Sequence, residues 1–228
     1  MSNYSLNQLT YEVIDLYRDF IKDTDSLDIR VVYQWIHNVR ALLLKQKIQK
    51  SIYVLDKTFV QNFKVNLAFE DVSMDTGITI GDKILLSTVS VPRAIEDTNG
   101  LEYFTHISTV DRTERPFKFI PLDMLPYAGT SRFDYHTIYV FRIGDKLGIY
   151  SKDDRYKSLL SISVRGIFQN PVEAGLLSDT TYSFDDRYPV TISMVNDIKN
   201  IILKDYFKIT VNKLDDKTTN EEHDLTQQ

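Results

Sequence analysis

The sequence predicts an α+β fold: a long N-terminal helix pair and a C-terminal helix packed together, with a central antiparallel β-sheet or small barrel inserted between them. Three observations carry this. Apolar residues recur every three or four positions near both ends of the chain. Between about Ser51 and Ala174 that period gives way to β-branched and aromatic runs broken by glycine and proline. The 228 residues are 43% apolar and 26% charged, an ordinary balance for a chain long enough to bury a sizeable core.

The first helix spans Ser5 to Lys22, with Leu6, Leu9, Val13, Leu16, Tyr17 and Phe20 on one face and Ser5 as its N-cap. After "DTDSLD" a second helix begins near Ser26, with Asp28 in its positive first turn. It keeps Ile29, Val32, Tyr33, Ile36, Val39, Leu43 and Ile48 on one broad face, and its length to Lys50 predicts a rod of roughly 35 Å.

From Ser51 strands take over. "GITIGDKILLSTVSVPRAIE" predicts a strand ending at Pro92, and the clearest hairpin is "YHTIYVFRIGDKLGIYS", where Gly144-Asp145 meets the positive φ of a tight turn. "SLLSISVRGIFQNPVEA" predicts another strand, closed by Asn170-Pro171. Pro189 is placed at the first position of a third helix, with Ile192, Val195, Ile198, Ile202 and Tyr206 as its stripe. "LDDKTTNEEHDLTQQ" has no stripe and reads as a flexible acidic tail. The expected organisation is helices over 1–50, a β-rich insertion over 51–187, a helix and strand completing the helical part over 188–213, and the tail over 214–228.

The 27 Lys+Arg against 32 Asp+Glu leave a net charge of −5, so the whole molecule is not an electrostatic trap for nucleic acid or anionic membrane. The absence of cysteine excludes disulfides and thiolate metal sites. "MSNYSLNQLT" lacks the pattern of a signal peptide, and no apolar run approaches the roughly 20 residues that span a bilayer. These features predict a soluble chain made in a cytoplasm.

The four histidines, His37, His106, His136 and His223, show no metal-ligand spacing. Paired acids at Asp153-Asp154, Asp185-Asp186, Asp215-Asp216 and Glu221-Glu222 read as solvated turns and caps. "GITIG" and "GDKLG" lack the pattern that cradles phosphate, and Ser131 in "GTSRF" sits in no nucleophile elbow. No catalytic, cofactor or metal residue is nominated.

The feature that needs a reason is the second half of the long helix, which carries Arg40, Lys45, Lys47 and Lys50 and no acid. Cations near a helix C-terminus favour the dipole and form a wet face. The alternative is that the four meet phosphate or an acidic neighbour, such as a copy of the "NEEHD" tail.

Tyr33, Ile36, Arg40, Ala41, Leu43 and Gln46 on this helix, the Tyr188-Pro189 pair before the last helix and the acidic tail together resemble the neck or ring proteins of crAss-like tailed bacteriophages. The tail departs from the family's Asn-Asp pair, carrying Asn220-Glu221 instead. The resemblance implies a non-enzymatic virion structural protein, without cofactor or membrane contact, made in the host cytoplasm and forming an oligomeric ring between portal and tail. By analogy with portal-attached rings it implies a homo-dodecamer, with the portal protein and other neck or tail rings as partners and contact with genomic DNA in the channel. Arg40, Lys45, Lys47 and Lys50 would then face a neighbouring subunit, the portal or the DNA. The competing readings are a nucleic-acid-binding or other non-enzymatic interaction module, and an enzyme with a convergent carboxylate site.

Overall fold

The structure, a computed structural model, describes residues 4–21, 27–50, 56–70, 84–97, 100–111 and 115–207. The predicted strand and acidic tail after Phe207, the first half of the strand expected before Pro92 and the predicted helix start at Ser26 lie outside the described residues.

Helix α1 (Leu6–Ile21) is capped as expected: the Gln8 amide donates to Ser5 Oγ at 3.0 Å. Helix α2 (Ile29–Lys50) is the long rod, 22 residues and so about 33 Å. Its buried face is Val32, Ile36, Val39, Arg40 and Leu44. Ile29 is exposed and Leu44, not Leu43, is fully buried, because the stripe turns slightly along the rod to follow the last helix.

Among the described residues seven strands follow: β1 (Gln61–Glu70), β2 (Ile84–Ser87), β3 (Phe104–Thr109), β4 (Lys118–Phe119), β5 (Tyr139–Ile143), β6 (Lys146–Tyr150) and β7 (Ser161–Gly166). They form one sheet in the order β3-β7-β1-β2-β6-β5-β4, antiparallel except for the short parallel pair β4/β5. β1 alternates by the strand period, with Phe63, Val65 and Leu67 inside and Asn62, Lys64 and Asn66 outside. Its first half pairs with β7 and its second with β2, which bends the sheet round. The Phe117 amide donates to the Ile107 carbonyl at 2.7 Å and brings the two end strands together, so the sheet is nearly a closed barrel. The β5/β6 hairpin turns at Gly144, whose φ of 56° is the left-handed value expected there.

Two expectations at the C-terminal side are corrected. Asn170-Pro171 does not merely close β7; it opens a helix, α3 (Pro171–Ser178), with Pro171 in its first turn and Asn170 Oδ1 accepting from the Val172 amide. Pro189 does not start the last helix. Its carbonyl is held by Arg40, and α4 (Ile192–Ile201) begins three residues later, continuing as a π-turn over Ile202–Tyr206. The buried stripe of α4 is Met194, Val195, Ile198, Ile202 and Leu203, while Ile192 and Tyr206 are exposed.

The core has three parts. One joins α1, α2 and α4 to Phe59, Ile95, Ile167 and Val172; a second fills the barrel around Phe63, Val140, Ile149, Val164 and Phe168; a third lies under the segment after β4, around Ile120, Leu125, Tyr139 and Phe141. Arg142 and Glu102, both nearly buried, form a two-pronged ion pair, and Arg142 Nη1 also donates to the Val91 carbonyl at 2.9 Å. That cluster clamps the chain between β2 and β3 onto β5.

Opposite Gly148, the Phe141 ring lies so close that a β-carbon there would meet it at 2.6 Å. Gly148→Val is expected to destabilise the fold by about 2 kcal/mol, since neither strand can step back from its partner. An unchanged midpoint in a denaturant titration would show that the ring swings away freely.

Candidate functional site

The residue types on α2 set the question, because a 22-residue helix without a single acid is placed on the outside of the molecule. The structure separates its four nominated cations. Arg40 is fully buried: Nε donates to the Pro189 carbonyl at 3.0 Å, Nη1 to the Phe168 carbonyl at 2.9 Å, and the guanidinium lies 5.6 Å from the centre of the Tyr188 ring. As the subunit stands, Arg40 offers nothing to a neighbour. Its role here is internal, tying α2 to the chain just past β7 and just before α4.

Lys45 Nζ is bonded to Glu96 Oε2 at 2.9 Å, with both side chains 40% exposed. A pair that wet contributes little to stability. Lys47 lies over the Phe59 ring at 5.8 Å, and Lys50 is exposed at the end of the rod. At 3.6 residues per turn Lys47 and Lys50 sit about 60° apart, and Lys45 points to a different side. Only Lys47 and Lys50 share a face.

The reading of charges missed what lies between them. Val31, Gln34, Asn38, Leu42, Gln46 and Gln49 are all exposed and, at spacings of three and four, form one stripe on the side roughly opposite Arg40. None of the six is charged, and the cation that shares their side, Lys45, one heptad on from Asn38, is taken by Glu96. A solvated helix face normally carries charges of both signs. A charge-poor face is what the centre of a protein interface has. The signal was in the sequence as a run of uncharged polar residues at helical spacing, but it resembles an ordinary wet face until burial shows which side is out.

Beside Arg40 sits His37, with Nδ1 2.7 Å from the Tyr188 hydroxyl. Burial, and then the neighbouring guanidinium, push the His37 imidazole down to about 4. Burial raises the Tyr188 phenol, so it stays protonated as a hydrogen-bonding group. The trio is a locked structural contact, not an acid–base pair open to substrate.

The two acid pairs within the described residues are likewise consumed, since Asp153 binds His136, Asp154 binds Lys157, Asp185 accepts from Asn7 and Asp186 caps the Ser183 amide; the pairs at 215–216 and 221–222 lie outside the described residues. Among the described residues no cluster of His and acids could hold a metal, and no helix is long and apolar enough to cross a membrane. An open cleft of about 440 Å³ beside Tyr150 and Tyr156 is lined by Lys152, Lys157 and Asp154, with no histidine or serine–base pair in it.

Two measurements check this account. Arg40→Lys is expected to cost about 3 kcal/mol, because one ammonium cannot reach two buried carbonyls set at different angles; a loss under about 0.5 kcal/mol would overturn the clamp. For His37, the folded value lies below the unfolded one of about 6.5, so the native state binds fewer protons between the two. Its contribution is therefore complete above pH 6.5 and is lost as pH falls towards 4, by up to roughly 3 kcal/mol. The midpoint of thermal unfolding should fall over that window and the fall should shrink in His37→Gln; an identical slope in the variant would assign it to other groups.

Comparison with known proteins points to a structural role. No individually curated protein matches the chain. A family model described as phage tail ring protein 2, of crAss-like phages, matches residues 8–225, nearly the whole chain, including the long helix, the barrel and the last helix. The chain belongs to that family of phage tail ring proteins, structural components of the virion.

Proposed function

We propose that this protein is one subunit of an oligomeric ring that joins the portal at the head to the tail, and that it performs no catalysis. The observation that carries this reading is the outer side of α2: an acid-free helix with a charge-poor exposed stripe along it and Lys50 exposed at its end. An isolated monomer has no use for such a face, whereas a closed ring must cover one on every copy. By analogy with portal-attached rings the copy number is twelve, so that one subunit meets each portal chain.

The lysines then act from two sides of the rod, Lys45 from the stripe and Lys47 and Lys50 from the flank near its end. Lys47 and Lys50, with Lys45 once Glu96 is displaced, face an acidic neighbour, the portal or the DNA in the channel. Arg40 leaves this set because its guanidinium is fully buried and holds two carbonyls inside the subunit. A ring repeats each local charge in every copy, so even two or three cations per chain make a strong positive collar around an acidic molecule.

Replacing Lys45, Lys47 and Lys50 together by glutamine is expected to weaken recruitment to the portal by roughly tenfold, about 0.5 kcal/mol per charge, and to leave thermal stability nearly unchanged. Mass photometry of the chain mixed with the portal, at low and high salt, reads both the stoichiometry and the loss. Recruitment that is unaffected by the triple change would remove the lysines from the interface; a chain that ignores the portal at every concentration would remove the portal from its partners.

A further inference from the structure

A second exposed surface lies far from α2. Between β4 and β5 the chain makes an excursion, a 3₁₀ turn over Leu122–Tyr127 followed by turns to Thr137. Leu125 and Ala128 anchor it in the third core. The anchor continues through hydrogen bonds: the Gly129 amide to the Tyr139 hydroxyl, Thr130 Oγ1 to the Tyr127 carbonyl, and Ser151 Oγ to the Thr137 carbonyl at 3.0 Å. His136 pairs with Asp153 at 2.8 Å. Yet this well-held segment turns Phe133 (93% exposed), Tyr127 (69%), Met124 (51%) and Tyr135 outwards. A fixed loop that shows large apolar side chains loses little entropy when it binds, which is the condition for a docking element.

The strand registers place it. Tyr139 pairs with Tyr150, Leu85 with Ile149 and Glu70 with Ile84, so these residues mark one end of the barrel, where the excursion is tied down. Gln61 and Gly166 mark the other end, where Arg40 joins α2 to Phe168. The helical core and the core beneath the excursion share no residue. The aromatic loop is therefore tied to one end of the barrel and helix α2 to the other.

We propose that these two surfaces are the two halves of the ring contact: the loop of one copy, led by Phe133, docks across Val31, Gln34, Asn38 and Leu42 of α2 in the next. The inference rests on the ring reading above and adds which surfaces meet. Around a ring the contact is heterologous, and in one of twelve copies the two surfaces of a subunit face about 150° apart, close to opposite sides. Surfaces tied to the two ends of the barrel meet that requirement and one self-complementary patch does not. The loop carries exposed Asp123 beside Met124 and exposed Arg132 beside Phe133, and α2 has no acid to repel the former.

The chain has no cysteine, which allows a clean covalent test. Virions of the parent phage carrying both Phe133→Cys and Leu42→Cys are oxidised and run on a non-reducing gel. A ladder in steps of the 26.5 kDa subunit is expected, with only monomer from either single variant. Double-variant chain that is present in virions yet stays monomeric overturns the pairing and leaves the ring reading intact. A dimer from Phe133→Cys alone means self-pairing, and a cross-link to another virion protein assigns the loop to that partner; either overturns the proposal. Absence of the unsubstituted chain from purified virions sinks the ring reading itself. If the double variant gives no particles, the two single variants are purified, mixed and oxidised: a covalent dimer from the mixture and from neither alone supports the pairing, and its absence overturns it.

Discussion

The buried guanidinium of Arg40 is the constraint around which the subunit is arranged. Taking a cation that never deprotonates out of water costs several kcal/mol unless its donors find acceptors. Its partners here are not a carboxylate but two backbone carbonyls, of Phe168 and Pro189, and the face of Tyr188. The two carbonyls come from opposite sides of α3, one where the barrel ends and the other where the last helix is about to begin. Helix α2 can therefore bury its apolar face only when the barrel and the C-terminal segment are both in place, and the three parts of the chain become one body. The same bond explains why Pro189 does not start α4, since its carbonyl is turned away from the helix to meet Arg40.

The barrel plays a complementary part. It is nearly closed, so it has little free edge to recruit foreign strands. Its cross-strand clamp of Arg142 and Glu102 is nearly buried and has further backbone partners, as such a pair must to offset its desolvation. A stiff barrel with helices on one end and an anchored aromatic loop at the other is a rigid spacer with two dissimilar ends. That geometry suits a ring, in which small errors of angle accumulate around the circle and a flexible subunit would not close.

Much of the architecture is legible in the residues. The alternation of β1, the Gly144 turn and the 3.6-residue stripes of α1 and α2 are local patterns, set by which side chains suit a pleat, a positive φ or a helix face. Where the reading went astray, a local signal had two meanings. Asn170-Pro171 is equally a strand stop and a helix N-terminus, and the choice depended on room for α3 against β1. Arg40 is identical in type to Lys45, Lys47 and Lys50 as a cation on one helix, yet its planar fork was drawn inwards by two carbonyls more than a hundred residues away in sequence.

From composition and periodicity alone follow the α+β class, the long helix without acids and the lack of metal or nucleophile spacing, because each depends on neighbours within a few turns or strands; the resemblance to ring proteins of crAss-like phages rests on particular residues, such as Tyr33, Ile36 and Tyr188-Pro189. Which cations are buried or paired, which face of α2 is bare, and that an aromatic loop stands at the other end of the barrel were decided by tertiary structure. Burial and direction are properties of residues brought together from distant parts of the chain, and no local pattern encodes them.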